Sequence, residues 1–285
     1  MIKIIKHFIE ALFVYFSFVI AKLIGLKLSR ILFSFIFRMV GPIIRSNNIV
    51  EKNLKIFSSE VSDFKKKEII SKMWSSYGMT FVEYIFLNKF KKKNSNIKII
   101  NEQVLDDIFT KKKPVIFVSG HFSNFELMSM EISKKNIRLA TIYRPLNNLF
   151  LNPFMEYLRK KYICKNQIKK GRRSMRKIIE YIENKNSIAL MIDQRLSEGE
   201  KIKFFNKDAF TTTLPAQLAL KYNLEIVPIF IQRQNNNLFE IEIFKPLNIT
   251  KYNNKIEISK KLNQILEDMI LKNPYQWIWT HDRWK

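Results

Sequence analysis

Histidine is scarce in this chain, and one of its 3 histidines lies in a segment whose residue types could do acid–base chemistry. The segment VSGHFSNFEL, residues 118–127, places His121 five positions before Glu126. A carboxylate bonded to one imidazole nitrogen fixes the tautomer and stabilises the imidazolium, which frees the other nitrogen to take a proton from a substrate hydroxyl. The spacing therefore predicts a His121–Glu126 pair acting as a general base.

A purely structural interpretation of the same residues stays open. Ser123 and Glu126 have the spacing of a capping box, in which the glutamate reaches back to the first amide of a helix. Ser123 and Asn124 are both good N-cap residues, and Gly120 allows a tight turn just before them. On this interpretation Glu126 serves only the helix, and His121 is a loop residue.

Other kinds of reaction centre find little support in the sequence. It contains no G-x-S-x-G elbow, no P-loop and no G-x-G-x-x-G segment. Its single cysteine, Cys164, is expected to be a structural thiol, and 3 His with 1 Cys leave no ligand set for structural zinc. We therefore expect neither metal nor cofactor, and a base that acts directly on an acceptor.

Five short apolar runs of strand type follow residue 113, and helical patterns lie between most of them. This alternation predicts an α/β fold with a mixed, mainly parallel sheet flanked by helices. The polar QNNN between the last two runs predicts a terminal hairpin. His121 directly follows the first run, at the carboxyl end of a strand, where ligands bind in such sheets. The runs are residues 114–120, 138–144, 187–193, 225–232 and 238–244.

The first 45 residues differ from the rest. Ala11 to Ala21 is an uncharged run, residues 31–37 form a second one, and basic residues lie between and after them. Aromatic residues mixed with Lys and Arg suit a headgroup boundary, and no cleavage site follows. We therefore predict a retained membrane anchor at 1–45, either spanning or interfacial, and a catalytic domain at 46–285. The alternative is a pair of buried core helices.

The charge of the chain is strongly positive. It has 50 Lys and Arg against 25 Asp and Glu, a formal net charge of +25. Such a surface attracts polyanions such as acidic proteins, anionic lipids, phosphorylated ligands or nucleic acid. The lysines are scattered along the chain, so a compositional bias toward Lys, Asn and Ile is the competing explanation.

Taken together, several segments in order resemble the late acyltransferases of lipid A biosynthesis, the lauroyl and myristoyl transferase family within the glycerolipid acyltransferase-like group. The segments are GHFSNFE, YRPLNN, the Gly171–Arg172 pair, the Asp193–Gln194 pair, FFNKDAFTTTLPAQLALKYNLEIVPIF and the terminal NPYQWIWTHDRWK. The resemblance covers nearly the whole chain. Two departures concern the pocket: Asn206 stands where a Gly is usual, and residues 211–213 lack a Gly often found there.

The resemblance implies transfer of a fatty acyl group from acyl carrier protein to a hydroxyl of a lipid A precursor, at the cytoplasmic face of the inner membrane. It makes His121 the base and Glu126 its partner. Arg144 would bind near the donor thioester or a substrate phosphate, and His281 and Arg283 would pack or pair at the C-terminus. Further substrate-binding or pocket residues implied by it are Asn124, Asn148, Arg172, Asp193 and Gln194.

The resemblance also implies three binding partners for the positively charged surface: an acidic carrier protein, an anionic membrane and a phosphorylated glycolipid acceptor. No nucleic acid is expected, since no recognition-helix, RNP or KH signature is present. Three alternatives remain: an acyl-CoA-dependent phospholipid or glycolipid acyltransferase, a basic membrane-associated nucleic-acid binder, and an inactive lipid-binding homologue. The intact His121 and Glu126 argue against the last.

Overall fold

We describe the protein from a computed structural model, which describes residues 1–44, 47–57, 62–92, 95–171 and 173–285. Seven strands form the main sheet, in the order β1-β9-β8-β2-β5-β3-β4. The five strands from β8 to β4 are parallel, while β9 pairs antiparallel with β8 and parallel with β1. The strands are β1 Ile97–Ile100, β2 Ile116–Ser119, β3 Leu139–Tyr143, β4 Asn166–Lys169, β5 Ser187–Met191, β8 Ile226–Arg233 and β9 Phe239–Ile243.

The predicted mixed, mainly parallel sheet with a terminal hairpin is confirmed. All five predicted strands are present, and each contributes apolar residues to the buried core. The sequence analysis did not identify β1 and β4, which have four residues each and are only partly buried. It also missed a separate two-stranded hairpin of β6 (Glu200–Phe204) and β7 (Lys207–Thr211).

Helices cover the sheet and precede it. Three helices, α2, α3 and α4, precede β1 in the described parts of residues 47–92. A π-helical segment, Arg159–Ile163, directly continues α7. The helices are α1 Ile2–Ile44, α2 Asn47–Phe57, α3 Asp63–Glu83, α4 Leu87–Phe90, α5 Gln103–Lys111, α6 Glu126–Lys134, α7 Asn152–Leu158, α8 Ser174–Glu183, α9 Leu214–Tyr222 and α10 Lys255–Lys272.

The N-terminal helix α1 is interrupted at Gly25, whose φ of 79° and ψ of 167° are not helical. The second half packs closely on α3, since a Cβ on Gly78 would lie 2.1 Å from the Phe33 carbonyl oxygen. Glycine therefore sets the approach of these two helices. By length and composition α1 could cross a membrane, and only 22% of its apolar window is buried. That small fraction argues against the alternative of buried core helices.

The C-terminal segment packs against the loop that follows β2, where Phe122 and Trp277 form an isolated antiparallel bridge. Trp277 and Trp279 are almost fully buried and stand edge to face, with ring centroids 4.6 Å apart. Arg283 donates to the Phe210 carbonyl and the Thr211 hydroxyl, and burial lowers the pKa of Arg283 to about 10. As expected, Arg283 packs at the C-terminus.

Candidate active site

The register of two parallel strands brings His121 beside Asp193. Ser119 at the end of β2 is the partner of Met191 at the end of β5, and the Ile192 amide donates to the Ser119 carbonyl at 2.9 Å. His121 and Asp193 each lie two residues past those paired ends, so they meet at the carboxyl edge of the sheet. This is the edge at which the sequence predicted a ligand site.

Asp193 is the hydrogen-bonding partner of the His121 ring. The distance from His121 Nδ1 to Asp193 Oδ1 is 2.7 Å. The other oxygen, Oδ2, accepts from the His121 backbone N–H at 2.8 Å and from Trp277 Nε1 at 3.0 Å. Three donors thus hold a carboxylate that is 1% exposed. Because a carboxylate only accepts, Nδ1 carries the proton, and Nε2 is the bare nitrogen of the neutral ring.

The electrostatics of this pair favour the charged imidazolium of His121 over the neutral imidazole. Burial alone lowers the pKa of His121, but the Asp193 charge and hydrogen bond, assisted by the charge of Glu126, raise it above its ordinary value. Burial acts to raise the pKa of Asp193. The His121 charge and the hydrogen bonds from His121 and Trp277 more than offset the effect of burial, so the pKa of Asp193 is lowered. A proton taken by Nε2 is therefore stabilised.

Glu126 has partners other than the one predicted for it. Its Oε1 accepts from Tyr84 Oη at 2.9 Å, and from Arg159 Nε at 2.7 Å and Nη2 at 2.6 Å. Among the described residues, no hydrogen bond joins Glu126 to His121. The predicted pair is therefore corrected: Asp193, expected only as pocket scaffolding, holds the imidazole, because strand register rather than proximity in sequence places it there.

Sequence reasoning missed Tyr84 and Arg159. Tyr84 follows α3, and Arg159 begins the π-helical segment after α7, so three separate segments meet at Glu126. The Glu126 charge raises the pKa of Arg159 despite its burial, so the guanidinium stays charged. No motif marks Arg159, which is followed in sequence by two further basic residues. Its burial, with a side chain only 11% exposed, is what distinguishes it.

The capping-box interpretation of Glu126 is also wrong. Helix α6 begins at Glu126 itself, and its N-cap residue is Phe125, without a side-chain cap bond. Ser123 lies before the helix at a φ of 44°, and its buried hydroxyl has no hydrogen-bond partner among the residues that the structure describes. The Ser123 amide instead donates to the Gln276 carbonyl at 2.9 Å. The C-terminal segment, rather than a cap, holds this loop.

A buried charge cluster lies behind the loop. Glu83 is fully buried and accepts from Arg30 Nε at 2.7 Å, from Arg233 Nη2 at 2.8 Å and from Asn124 Nδ2 at 3.0 Å. Asn124 is 0% exposed. Asn124 fastens the His121 loop to Glu83, and through it to Arg30 of α1, while its substrate-binding role stays a prediction.

Asn148 is likewise occupied by the protein. Its Nδ2 donates to the His7 carbonyl at 2.8 Å and to Glu10 at 3.2 Å, while its Oδ1 accepts from the amides of Phe150 and Leu151. These bonds use both ends of the amide and join the loop after β3 to α1. The structure gives Asn148 this structural contact, and its substrate-binding role stays a prediction.

The other predicted residues have different positions. Arg144 is exposed at the end of β3, at the same edge of the sheet as His121. Gln194 is half-buried beside Asp193. Arg172 lies outside the described residues. Asn206, which replaces a usual Gly, has a φ of 57° in the β6–β7 turn, a left-handed conformation that Asn tolerates.

A small cleft opens beside the imidazole. Apolar side chains from α3, the His121 loop and the C-terminal segment form much of its wall. No group of metal-ligating residues is present in the described parts of the chain. The cleft is lined by Met73, Ser76, Tyr77, Thr80, His121, Ser123, Phe125, Gln276 and Ile278.

The chain was compared with known families, curated proteins and solved structures. The family described as bacterial lipid A biosynthesis acyltransferase matches residues 2–285. A lipid A biosynthesis acyltransferase of Haemophilus influenzae is 22% identical over 247 residues, covering 83% of this chain and 76% of that protein. A lipid A biosynthesis lauroyltransferase of Escherichia coli is 20% identical, covering 85% of this chain and 79% of that protein. Among solved structures, the 1-acyl-sn-glycerophosphate acyltransferase PlsC of Thermotoga maritima aligns with 89% of this chain and 100% of its own, at 14% identity and a TM-score of 0.42.

Proposed function

Because the chain belongs to the bacterial lipid A biosynthesis acyltransferase family, we propose that it moves a fatty acyl group from acyl carrier protein to a hydroxyl of a lipid A precursor. The observation that carries the proposal is the His121–Asp193 pair at the carboxyl edge of the sheet. It supplies an oriented base in a cleft with apolar walls, which is what transfer of an acyl chain to a hydroxyl requires.

In the proposed reaction His121 acts through Nε2. The acceptor oxygen attacks the thioester carbonyl carbon as its proton passes to Nε2, and a tetrahedral intermediate forms. The carbon–sulfur bond then breaks, and His121 returns the proton to the departing thiolate. Asp193 stays ionised throughout and stabilises the imidazolium. A positioned base of this kind contributes about 10² to 10⁴ in rate.

Glu126 has an indirect role in the proposed reaction. Its charge contributes to the raised pKa of His121 and keeps Arg159 in position. We assign Glu126 to positioning and electrostatics, whereas Asp193 is the residue that orients the imidazole. Asp193 is thus the partner in the dyad that the sequence analysis expected of Glu126.

Arg144 is proposed to bind a phosphate of the donor or acceptor, or a site near the thioester. It is exposed, and it follows the strand next to β5 in the sheet, so it lies near the proposed chemistry, and no carboxylate in the described part of the chain forms an ion pair with it. A planar guanidinium can give a phosphate two parallel hydrogen bonds. The net charge of +25 supports an acidic carrier protein as donor and the anionic inner leaflet, on the cytoplasmic face, as the location.

The test is expression of the full chain in a host that lacks one late acyltransferase, followed by mass spectrometry of its lipid A. We expect a mass gain of one acyl chain, and no gain from a stably expressed His121→Ala control. Purified protein should use acyl carrier protein thioesters in preference to acyl-CoA. Unchanged lipid A, together with acylation of a phospholipid or another glycolipid from acyl-CoA, would contradict the proposal.

A further inference from the structure

The outer face of α1 is covered by exposed apolar side chains along its whole length. They include Phe13 at 71% exposure, Leu23 at 81% and Ile43 at 83%. A continuous apolar surface of this kind marks an interaction site. Exposed members are Ile2, Ile4, Ile5, Phe8, Ile9, Leu12, Phe13, Phe16, Val19, Leu23, Leu28, Ile31, Leu32, Phe35, Met39, Val40 and Ile43.

The opposite face of α1 contacts the rest of the protein from its first turns to its last. Near the start, the His7 backbone carbonyl accepts a hydrogen bond from Asn148, and the Tyr15 hydroxyl donates to the Phe150 carbonyl at 2.8 Å. In the middle, Arg30 pairs with Glu83 at 2.7 Å. Towards the end, Gly41 packs against the ring of Trp74.

These contacts are incompatible with a helix that crosses the bilayer. The contacts lie in both halves of α1, which Gly25 separates and which are about 35 Å and 29 Å long at 1.5 Å per residue, whereas the hydrocarbon layer is about 30 Å thick. If either half of α1 crossed that layer, the parts of the domain fastened to it would enter the hydrocarbon as well. A helix attached to the domain along its length can bury its outer face only by lying parallel to the membrane surface.

The loop between β3 and α7 extends this surface. Asn148 and Phe150 fasten it to α1, and the Phe8 and Phe150 rings lie 5.4 Å apart. Beside these contacts Leu146 is 40% exposed and Leu149 is 63% exposed. Because the loop is fixed to the first half of α1, its apolar side chains move with that helix.

We propose that the outer face of α1 and the Leu146–Phe150 loop together form an in-plane membrane-docking surface, and that α1 does not span the bilayer. The occupant is the hydrocarbon and anionic headgroup layer of one leaflet. Cations on α1 suit anionic headgroups, and the same cations, in a chain of net charge +25, disfavour a second copy of this protein as the occupant. The exposed cations are Lys3, Lys6, Lys22, Lys27 and Arg38.

The first test uses single cysteines at Lys3, Lys27 and Lys67 of the full chain, in a Cys164→Ser background. Spheroplasts of the expression host are treated with a membrane-impermeant maleimide before and after lysis. In-plane docking predicts that all three positions react only after lysis. Labelling of Lys3→Cys in intact spheroplasts would reveal a single span, and labelling of Lys27→Cys would reveal a helical hairpin that crosses the membrane. If neither Lys3→Cys nor Lys27→Cys reacts after lysis while Lys67→Cys is labelled, both positions lie too deep in the membrane for the proposed orientation.

The second test measures how much the Leu146–Phe150 loop contributes to membrane binding. Purified full-length protein is floated with vesicles of phosphatidylethanolamine and phosphatidylglycerol. Leu149→Glu should weaken binding about tenfold or more, since it withdraws one apolar side chain and adds a charge. Leu271→Glu is the matched control, because Leu271 is 59% exposed on α10. Unchanged flotation of Leu149→Glu, or its conversion of a detergent-solubilised dimer into a monomer, would overturn the proposal.

Discussion

Two carboxylates, Asp193 and Glu126, lie near His121, and their hydrogen-bond donors differ. Asp193 shares its bonds between both oxygens, with the His121 ring on one and the His121 amide and Trp277 on the other. Glu126 accepts its hydrogen bonds from the described residues on Oε1, from Tyr84 and Arg159. One carboxylate therefore orients the imidazole, and the other neutralises a buried arginine. An acidic residue close to a histidine in the sequence is therefore not always the carboxylate that binds its imidazole.

The largest expected effect comes from Asp193→Asn. The amide nitrogen of Asn can face His121 Nδ1, which then must lose its proton, so that Nε2 carries a hydrogen and cannot act as a base. We expect kcat/KM to fall by about 10³ or more, with the fold retained. Single-turnover kinetics with acyl carrier protein donors measure this. Near wild-type rates would show that Asp193 does not orient the base.

Glu126→Gln should be less damaging to the chemistry and more damaging to stability. It leaves the buried Arg159 charge unpaired, which costs about 3–5 kcal/mol of unfolding free energy. Activity per folded molecule should fall by about tenfold, well short of the loss in Asp193→Asn. Urea unfolding combined with kinetics separates the two effects.

The double variant Glu126→Gln/Arg159→Met is the control for that separation. It removes both charges, so much of the lost stability should return. A loss of activity in Glu126→Gln equal to that in Asp193→Asn would restore Glu126 as the partner of His121.

Arg144 offers a comparison with Arg159, since it is exposed and Arg159 is held by Glu126. Arg144→Ala should raise KM for the phosphorylated substrate about fivefold to tenfold, and Arg144→Lys should recover only part of it, because an ammonium cannot supply two parallel bonds. Arg138→Ala is the matched control, since Arg138 is exposed just before β3, at the opposite end of the same strand. Equal kinetics for the two Ala variants would remove Arg144 from the site.

The smallest effect is a shift in pH dependence. His121 must be neutral to accept a proton, so kcat/KM should decline as the pH falls through the pKa of His121, which lies above its ordinary value of 6.5. Because the Glu126 charge contributes to raising that pKa, Glu126→Gln should move the acidic limb to lower pH. An acidic limb that does not move in pH–rate profiles would mean that Glu126 and His121 are not coupled.

The raised pKa of His121 has an opposite consequence for stability. A folded-state pKa above the unfolded value stabilises the fold at low pH, and that contribution is lost as the pH rises through the folded pKa. Activity and this part of the unfolding free energy therefore change in opposite directions across the same pH interval.

Much of the fold was predictable from local patterns. Apolar runs such as residues 114–120 and 187–193 have the length and β-branched content of buried strands, and alternation with helices indicates a parallel sheet whatever the details of packing. The strands β1 and β4 were missed because four-residue strands at the ends of the sheet leave too weak a pattern. His121 could be placed at the reactive edge because its position follows from chain order alone.

Only the tertiary structure decided which residues meet at that edge. The sequence by itself determined that a histidine follows one strand and an aspartate another. The pairing of Ser119 with Met191 brought His121 to Asp193, and strand register depends on the packing of the whole sheet. The bonds from Arg159 and Tyr84 to Glu126, and the attachment of α1 along the domain, likewise join segments far apart in the chain. No local pattern records such contacts, because they form between segments that only the completed fold brings together.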